Sequence, residues 1–287
     1  MKVLVLGVSG MAGHMVACHL HEMGWEVVGA ARSAPRLLDF PLKQISLESI
    51  SDLESLVKPD AWDAVINCFG VLNQEASIHP AQATFINAFV PHWLVERCKG
   101  HHTRIVHLST DCVFSGRSSS YTEDAFRDGD TFYDRSKALG EFQSDKDLIF
   151  RQSIIGPDLR PDGIGLLNWF LLRRQPVQGY KNALWNGITT LELAKGIRAA
   201  LEQPLTGIYH LVAPVTISKH DLLGLFAQAF GHTVAITASF LPAKIDKSLI
   251  STRKDFNFQP AAYPAQLEEL ASWMRSHKFL YPHYPML

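Results

Sequence analysis

The stretch "KVLVLGVSGMAGHMVACHLHEMGWEVVGAAR", residues 2–32, constrains this chain more than any other. Val3 to Leu6 is a continuous apolar run of strand length, as expected for a parallel strand covered on both faces. Gly7, Gly10 and Gly13 follow at intervals of three. Met11, Met15, Cys18 and Leu20 then carry helical spacing, with Gly24 as the stop, and "WEVVGAAR" is a second strand. The first glycine permits a tight turn, the second lets backbone approach a pyrophosphate, and the third lets helix pack on strand. An anion is favoured at the helix N-terminus by free N–H groups and the helix dipole. Gly7, Ser9, Gly10, Met11 and Gly13 are therefore the expected contacts of a dinucleotide.

The end of the second strand speaks to the choice of cofactor. A chain that binds NAD usually places Asp or Glu there, on the ribose 2′-hydroxyl. Here Ala30, Ala31 and Arg32 stand instead. No carboxylate repels a 2′-phosphate, and the Arg32 guanidinium is available to bind one. The pattern favours NADPH and leaves NADH open.

Further strands alternate with helices. "AVINC", 64–68, is followed by Phe69 and Gly70, and Cys68, Phe69 and Gly70 are expected against the cofactor. "ATFINAFVPHWLVERCKG" reads as one helix. "TRIVHLSTDCVFSG" delivers Ser109, Thr110 and Asp111 to a strand end, and "DLIFRQSIIG" reads as one more strand. This order predicts an α/β fold, a Rossmann-like doubly wound parallel sheet. Residues 1–156 form the expected cofactor domain, which also receives roughly 188–213. Residues 157–287 form mainly a smaller C-terminal substrate lobe. In that lobe "RRQPVQGYKNALWNG" reads as loop, while "TTLELAKGIRAALEQ" and "SKHDLLGLFAQAFG" read as capped helices.

The 287 residues carry 27 Lys and Arg against 28 Asp and Glu, so no basic excess points to nucleic acid. Apolar runs are short, so no bilayer span and no membrane partner are expected. Glycines interrupt the N-terminal apolar run, which argues against a leader peptide and for the cytoplasm. Four scattered cysteines without a Cys-x-x-Cys, and histidines without ligand spacing, give no reason to expect a metal.

"TFYDRSKALGE", 131–141, sets Tyr133 and Lys137 one helical turn apart on one face. A phenol titrates near ~10, too high for easy proton transfer at neutral pH, and a neighbouring ammonium lowers that value. The expectation is a tuned acid, Tyr133, beside a nicotinamide whose ribose Lys137 holds. Thr110 supplies a hydroxyl for a carbonyl oxygen.

With these motifs the chain resembles the extended short-chain dehydrogenase/reductases. "STDCVFSG" at 109–116, "PDAWDAVINCFG", "INAFVPHWLVERC" and "YDRSKALGE" are similar to the dTDP-4-dehydrorhamnose reductase family, in order and over nearly the whole chain. The resemblance implies a catalytic trio of Thr110, Tyr133 and Lys137. It implies a lobe that grips a nucleotide sugar, with substrate contacts at Asp111, Val113, Phe114, Trp185 and Asn186. It implies NADPH-dependent reduction of a 4-keto sugar. Cys112 stands where the family commonly has Tyr, Phe69 lies in a segment of small residues, and "WNGITT" follows the substrate loop loosely, so the sugar stays open. The ligands of the family's metal-linked dimer find no match, and a homodimer is left open. An epimerase or 4,6-dehydratase of the same fold, and a cofactor sensor without chemistry, are the competing readings. Arg160, Arg173, Arg174, Tyr180, Lys181 and Trp185 are the expected cations and aromatics for a diphosphate and a base.

Overall fold

Alternate side chains of the first strand, β1 (Lys2–Leu6), enter two different cores. Val3 and Val5 pack with Met15, Val16, Ala194 and Ile197, while Leu4 and Leu6 pack with Val90, Leu94, Ile105 and Ile149. A strand with period-two side chains that are apolar on both faces has to lie between two helical layers. A computed structural model describes residues 1–33, 37–241 and 244–285.

In chain order β1 is followed by α1 (Met11–Glu22), β2 (Glu26–Ala31), β3 (Leu42–Gln44), α2 (Ser51–Glu54) and β4 (Ala64–Asn67). Next come α3 (Asn73–Ile78), α4 (Pro80–Ala83), a π-helical segment Thr84–Phe89 and α5 (Val90–Arg97). The second half of the sheet follows with β5 (Arg104–Leu108), α6 (Phe132–Leu139) and β6 (Leu148–Arg151). The remainder is β7 (Ile154–Ile155), α7 (Leu166–Leu171), β8 (Val177–Tyr180), β9 (Ala183–Trp185), β10 (Ile188–Thr189), α8 (Thr190–Leu201) and β11 (Gly207–His210). β12 (Ile217–Ser218), α9 (Lys219–Phe230), β13 (Ile236–Ser239), β14 (Ile245–Asp246) and α10 (Tyr263–Ser276) complete it.

Among the described residues one sheet holds seven strands in the order β11-β6-β5-β4-β1-β2-β3, every pair parallel. The order runs outward in both directions from β1 and β4. Their carboxyl ends therefore frame the crevice where open α/β sheets take ligands. The chain returns from the smaller lobe to add β11, Gly207 opposite Leu148, at the β6 edge. Among the described residues no helix is long and apolar enough to cross a membrane.

Three expectations about elements are corrected, and one strand is added. The helix read as continuous over 83–100 contains a π-helical segment, which sets Asn87 inward, fully buried. "DLIFRQSIIG" is two strands, because Gln152 and Ser153 leave the sheet and β7 pairs with β10 instead. The stretch read as loop holds β8 and β9, which pair with β13 and with β12 and β14. β3, three residues long and exposed along most of its length, had no apolar run to reveal it.

The glycine turn packs without spare room. Gly7 has φ +90°, and a Cβ on it would lie 3.0 Å from the Cys68 carbonyl oxygen. A Cβ on Gly13 would overlap the carbonyl of Gly7 outright. Gly13→Ala must push α1 off the turn, and overpacking of that kind costs about 1–3 kcal/mol. Urea denaturation should show that loss, and an unchanged midpoint would mean that the turn yields freely.

Candidate active site

The turn after β1 is held by the Gly7 and Val8 N–H groups donating to the Ala30 carbonyl, at 2.7 and 3.2 Å. Gly10 then caps α1 in extended conformation, with no side-chain cap and no acidic residue in the first turn. The first-turn N–H groups thus face outward without a competing side-chain acceptor or charge. Ser9 and Gly10 are exposed and Met11 is half-buried. Glycines where a Cβ would fill the cradle, and a bare helix N-terminus, fit a pyrophosphate. Arg32 is exposed directly after β2, at the place where a ribose 2′-substituent is read.

Across the crevice, Asn67 Oδ1 accepts from the Phe69 N–H at 3.1 Å and bends the chain at the end of β4. The Phe69 ring reaches Gly7. Gly70 is exposed beside it. Cys68 is a half-buried thiol pushed up to about 12 by desolvation, with Lys137 acting the other way, so it stays protonated.

The catalytic candidates converge on the end of β5. α6 begins with a reciprocal cap. The Asp134 N–H donates to Thr131 Oγ1 at 3.1 Å, and the Thr131 N–H donates to Asp134 Oδ2 at 3.2 Å. That cap sets where the helix starts and hence which residues, Tyr133 and Lys137, face the sheet. Buried Asn87 ties α6 to the loop after β4. Its Nδ2 donates to the Val71 carbonyl and to Ser136 Oγ, at 2.9 and 3.0 Å. Tyr133 and Thr110 are each 8% exposed and Lys137 3%. Thr110 Oγ1 donates to Asp111 Oδ1 at 3.2 Å and accepts from the Cys112 N–H at 3.1 Å.

The structure corrects the tuning expected of Lys137. Burial pushes the Tyr133 phenol above its ordinary value, as do Cys112 and Asp111, and the neighbouring Thr110 hydroxyl opposes them. The Lys137 ammonium is turned down to the Leu108 carbonyl, 2.7 Å away, and burial pulls it down to about 8. Desolvation of the phenol outweighs an ammonium that is directed elsewhere.

Other expected contacts are corrected too. Val113 and Phe114 are wholly inside. The Phe114 ring stacks on Tyr121 at 4.2 Å and lies under the Arg151 guanidinium, so both belong to the core that supports the loop. Asn186 makes two hydrogen bonds with the Leu249 backbone, at 2.8 and 2.9 Å, and serves as a tie between segments. Arg160 and Lys181 pair with Asp162 and Asp221, Arg173 lies over Trp169, and Arg174 and Tyr180 are exposed.

Two lysines that sequence reasoning passed over stand near Asp111 instead. Lys219 Nζ lies 4.1 Å over the Trp185 ring, and burial pulls it down to about 8 while Asp111 acts the other way. Burial pulls Lys247 down, but Cys112 and Asp111 outweigh it and leave it raised. Asp111 is raised by burial, with Lys247 and Lys219 opposing. Lys219 follows an unremarkable serine cap and Lys247 lies in an irregular strap, so neither carries a motif that could have revealed it.

A glycine turn at the switch point of a parallel sheet, facing a Thr-Tyr-Lys cluster, defines a dinucleotide-binding α/β protein of the reductase type. Comparison narrows the class. The family described as RmlD substrate binding domain matches residues 1–259, and the chain belongs to that family. A relative, the probable low-salt glycan biosynthesis reductase Agl14 of Haloferax volcanii, is 24% identical over 265 residues, 88% of each chain. The dTDP-4-dehydrorhamnose reductase of Salmonella typhimurium is 26% identical, covering 83% of this chain and 82% of its own. The solved dTDP-4-dehydrorhamnose reductase of Bacillus anthracis, in complex with NADP, shares the fold at TM-score 0.77 and 19% identity. That match covers 94% of this chain and 98% of the other.

The loop that carries Ser109 and Thr110 hangs on a buried ion pair. Arg151 donates to Glu141 through Nε and Nη2, at 2.9 and 2.8 Å, and Glu141 Oε1 accepts from Ser109 Oγ at 2.6 Å. Burial pushes the Glu141 carboxyl up, but Arg151 overrides it and the net value lies below the ordinary one. A depressed carboxyl stabilises the fold above its unfolded value and loses that contribution as pH falls through the folded value. Glu141→Gln leaves Arg151 buried without a counter-charge, a loss of about 3–5 kcal/mol. Denaturation at pH 7 should show the loss, and the gap between parent and variant should narrow toward acid pH.

Proposed function

We propose that this protein is an NADPH-dependent reductase of the 4-keto group of a nucleotide-activated 6-deoxysugar, in the formation of a polysaccharide or glycan. The observation that carries the reading is the burial together of two hydroxyls, Tyr133 and Thr110, at the end of β5, with Lys137 one turn further along α6. The relatives described as glycan biosynthesis reductase and dTDP-4-dehydrorhamnose reductase support it over most of the chain.

NADPH, when bound, supplies the hydride. Gly7, Ser9, Gly10, Met11 and Gly13 hold its pyrophosphate and Arg32 its 2′-phosphate, while Cys68, Phe69 and Gly70 wall the crevice. Lys137 holds the nicotinamide ribose. Thr110 Oγ1 orients the sugar carbonyl oxygen, and Tyr133 donates its phenolic proton there as the carbonyl becomes an alcohol. A phenol raised by burial is fully protonated at neutral pH, which suits an acid in the direction of reduction. Lys219, Lys247 and Trp185 form the substrate wall, with a cationic face for the diphosphate. A 4,6-dehydratase needs a further acid beside its threonine. Cys112, a thiol pushed up to about 12 by burial and then by Asp111, is a poor one.

One NADPH should be oxidised for each 4-keto sugar consumed, giving a product two mass units heavier than its substrate. Tyr133→Phe should keep cofactor binding and lose about 10²–10⁴ in turnover. A product isobaric with substrate and no net cofactor change would mean an epimerase, and loss of water a dehydratase.

Arg32→Asp tests the cofactor separately. It should weaken NADPH binding at least about tenfold while leaving NADH nearly unchanged, the loss of one charge-assisted contact. Equal affinity for both cofactors in parent and variant would remove Arg32 from the site.

A further inference from the structure

Lys137 is met from the sheet side by His107, itself backed by Asn67, two residues the proposed chemistry does not use. Asn67, on β4, and His107, on β5, are both fully buried. A backbone N–H only donates. The Phe69 N–H, 3.1 Å from Asn67 Oδ1, therefore fixes which end of that amide is the oxygen. The amide nitrogen Nδ2 then faces His107 Nδ1 at 3.1 Å. An amide NH₂ also only donates, so Nδ1 has to be the bare, accepting nitrogen of the imidazole. Burial, then Lys137 and His92, hold His107 well below the ordinary imidazole range, so the ring is neutral. Its one proton is left on Nε2, and Nε2 lies 3.4 Å from Lys137 Nζ.

Lys137 already donates to the Leu108 carbonyl at 2.7 Å. An ammonium has no lone pair, so toward an Nε2–H it offers only a second donor. The uncharged amine offers a lone pair and accepts. We propose that Asn67 and His107 are a positioning pair for Lys137: the amide locks the imidazole as its Nε2–H tautomer, and that N–H favours the uncharged amine over the ammonium. The inference rests on the reading of Lys137 as part of the site and deepens it.

Other groups around the lysine act on the same balance. Burial pulls Lys137 down to about 8, while Glu141, beyond the end of α6, favours the charged form, and Cys68, at the end of β4, is a neutral thiol in this range. His92, on α5, bears on His107 and not directly on the lysine. A lysine that changes charge in this range holds a ribose as a cation below it and loses that charge above it.

Two measurements, both made without turnover, test the pair. NADPH affinity of the full-length protein is titrated by nicotinamide fluorescence from pH 6 to 10. In the parent it should fall through a midpoint near the value of Lys137. Asn67→Ala removes the lock without adding charge. His107 can then carry its proton on Nδ1 and turn a bare Nε2 to the ammonium, and the midpoint should rise by about one pH unit or more. A merely structural Asn67 would lower affinity evenly at every pH, and an unmoved midpoint overturns the proposal. The second measurement needs no variant. Long-range ¹H–¹⁵N spectra of the parent at pH 7 should show His107 with bare Nδ1 and protonated Nε2. The opposite tautomer, or a charged ring, overturns it. Should Tyr133→Phe retain turnover, the reductase reading falls while both of these results stand.

Discussion

The ion pair between Arg151 and Glu141 joins several distant segments of this protein. Arg151 leaves β6 fully buried and grips Glu141, just past α6. Its third nitrogen, Nη1, reaches His210 Nε2 on β11, at 2.8 Å, and the Glu123 carbonyl, at 3.2 Å. Glu141 holds Ser109, the residue before Thr110. Glu123 in turn binds the Ser251 hydroxyl and the Thr252 N–H. One guanidinium therefore links the sheet edge, the Ser109–Asp111 loop, the helix with Tyr133 and Lys137, and the Ser251–Thr252 strap. Taking both charges from water is costly, and the arrangement is stable because nearly every lone pair and N–H has a partner.

Around that joint the parallel sheet does the placing. Parallel strands end together, so the turn after β1, the bend after β4 and the Ser109–Asp111 loop meet along one edge. The π-helical segment at Thr84–Phe89 gives Asn87 its inward position, and a Cβ on Gly140 would collide with the Asn87 backbone. α6 thus sits as close to its neighbour as backbone allows, which brings Tyr133 over Thr110 and Lys137 over Leu108.

The smaller lobe works by different means. It rests on short strand pairs, on Asn186 clasping Leu249, and on Trp185 stacked against Tyr263 at 5.9 Å. Lys219 and Lys247 reach the site from this lobe, on segments whose sequence is unremarkable. Among charged groups their value lies in position: beside Asp111 and Cys112, with limited water, a single ammonium bears strongly on its neighbours.

Local chemistry accounts for what was legible beforehand. The glycine triplet needs only that backbone approach backbone, so Gly7, Gly10 and Gly13 reveal the turn, and the continuous apolar runs reveal buried parallel strands. The Thr131 cap and the i to i+4 spacing reveal that Tyr133 and Lys137 share a helix face. Family membership follows from motifs in order along the chain. Burial and direction of side chains are not local, and there the tertiary structure decided. It turned Lys137 toward Leu108 and His107 and raised the Tyr133 phenol by desolvation. It placed Val113 and Phe114 in the core and brought Lys219 and Lys247 beside Asp111. A residue's charge is written in the sequence, but the dielectric around it and the group it faces are set only when distant segments pack together.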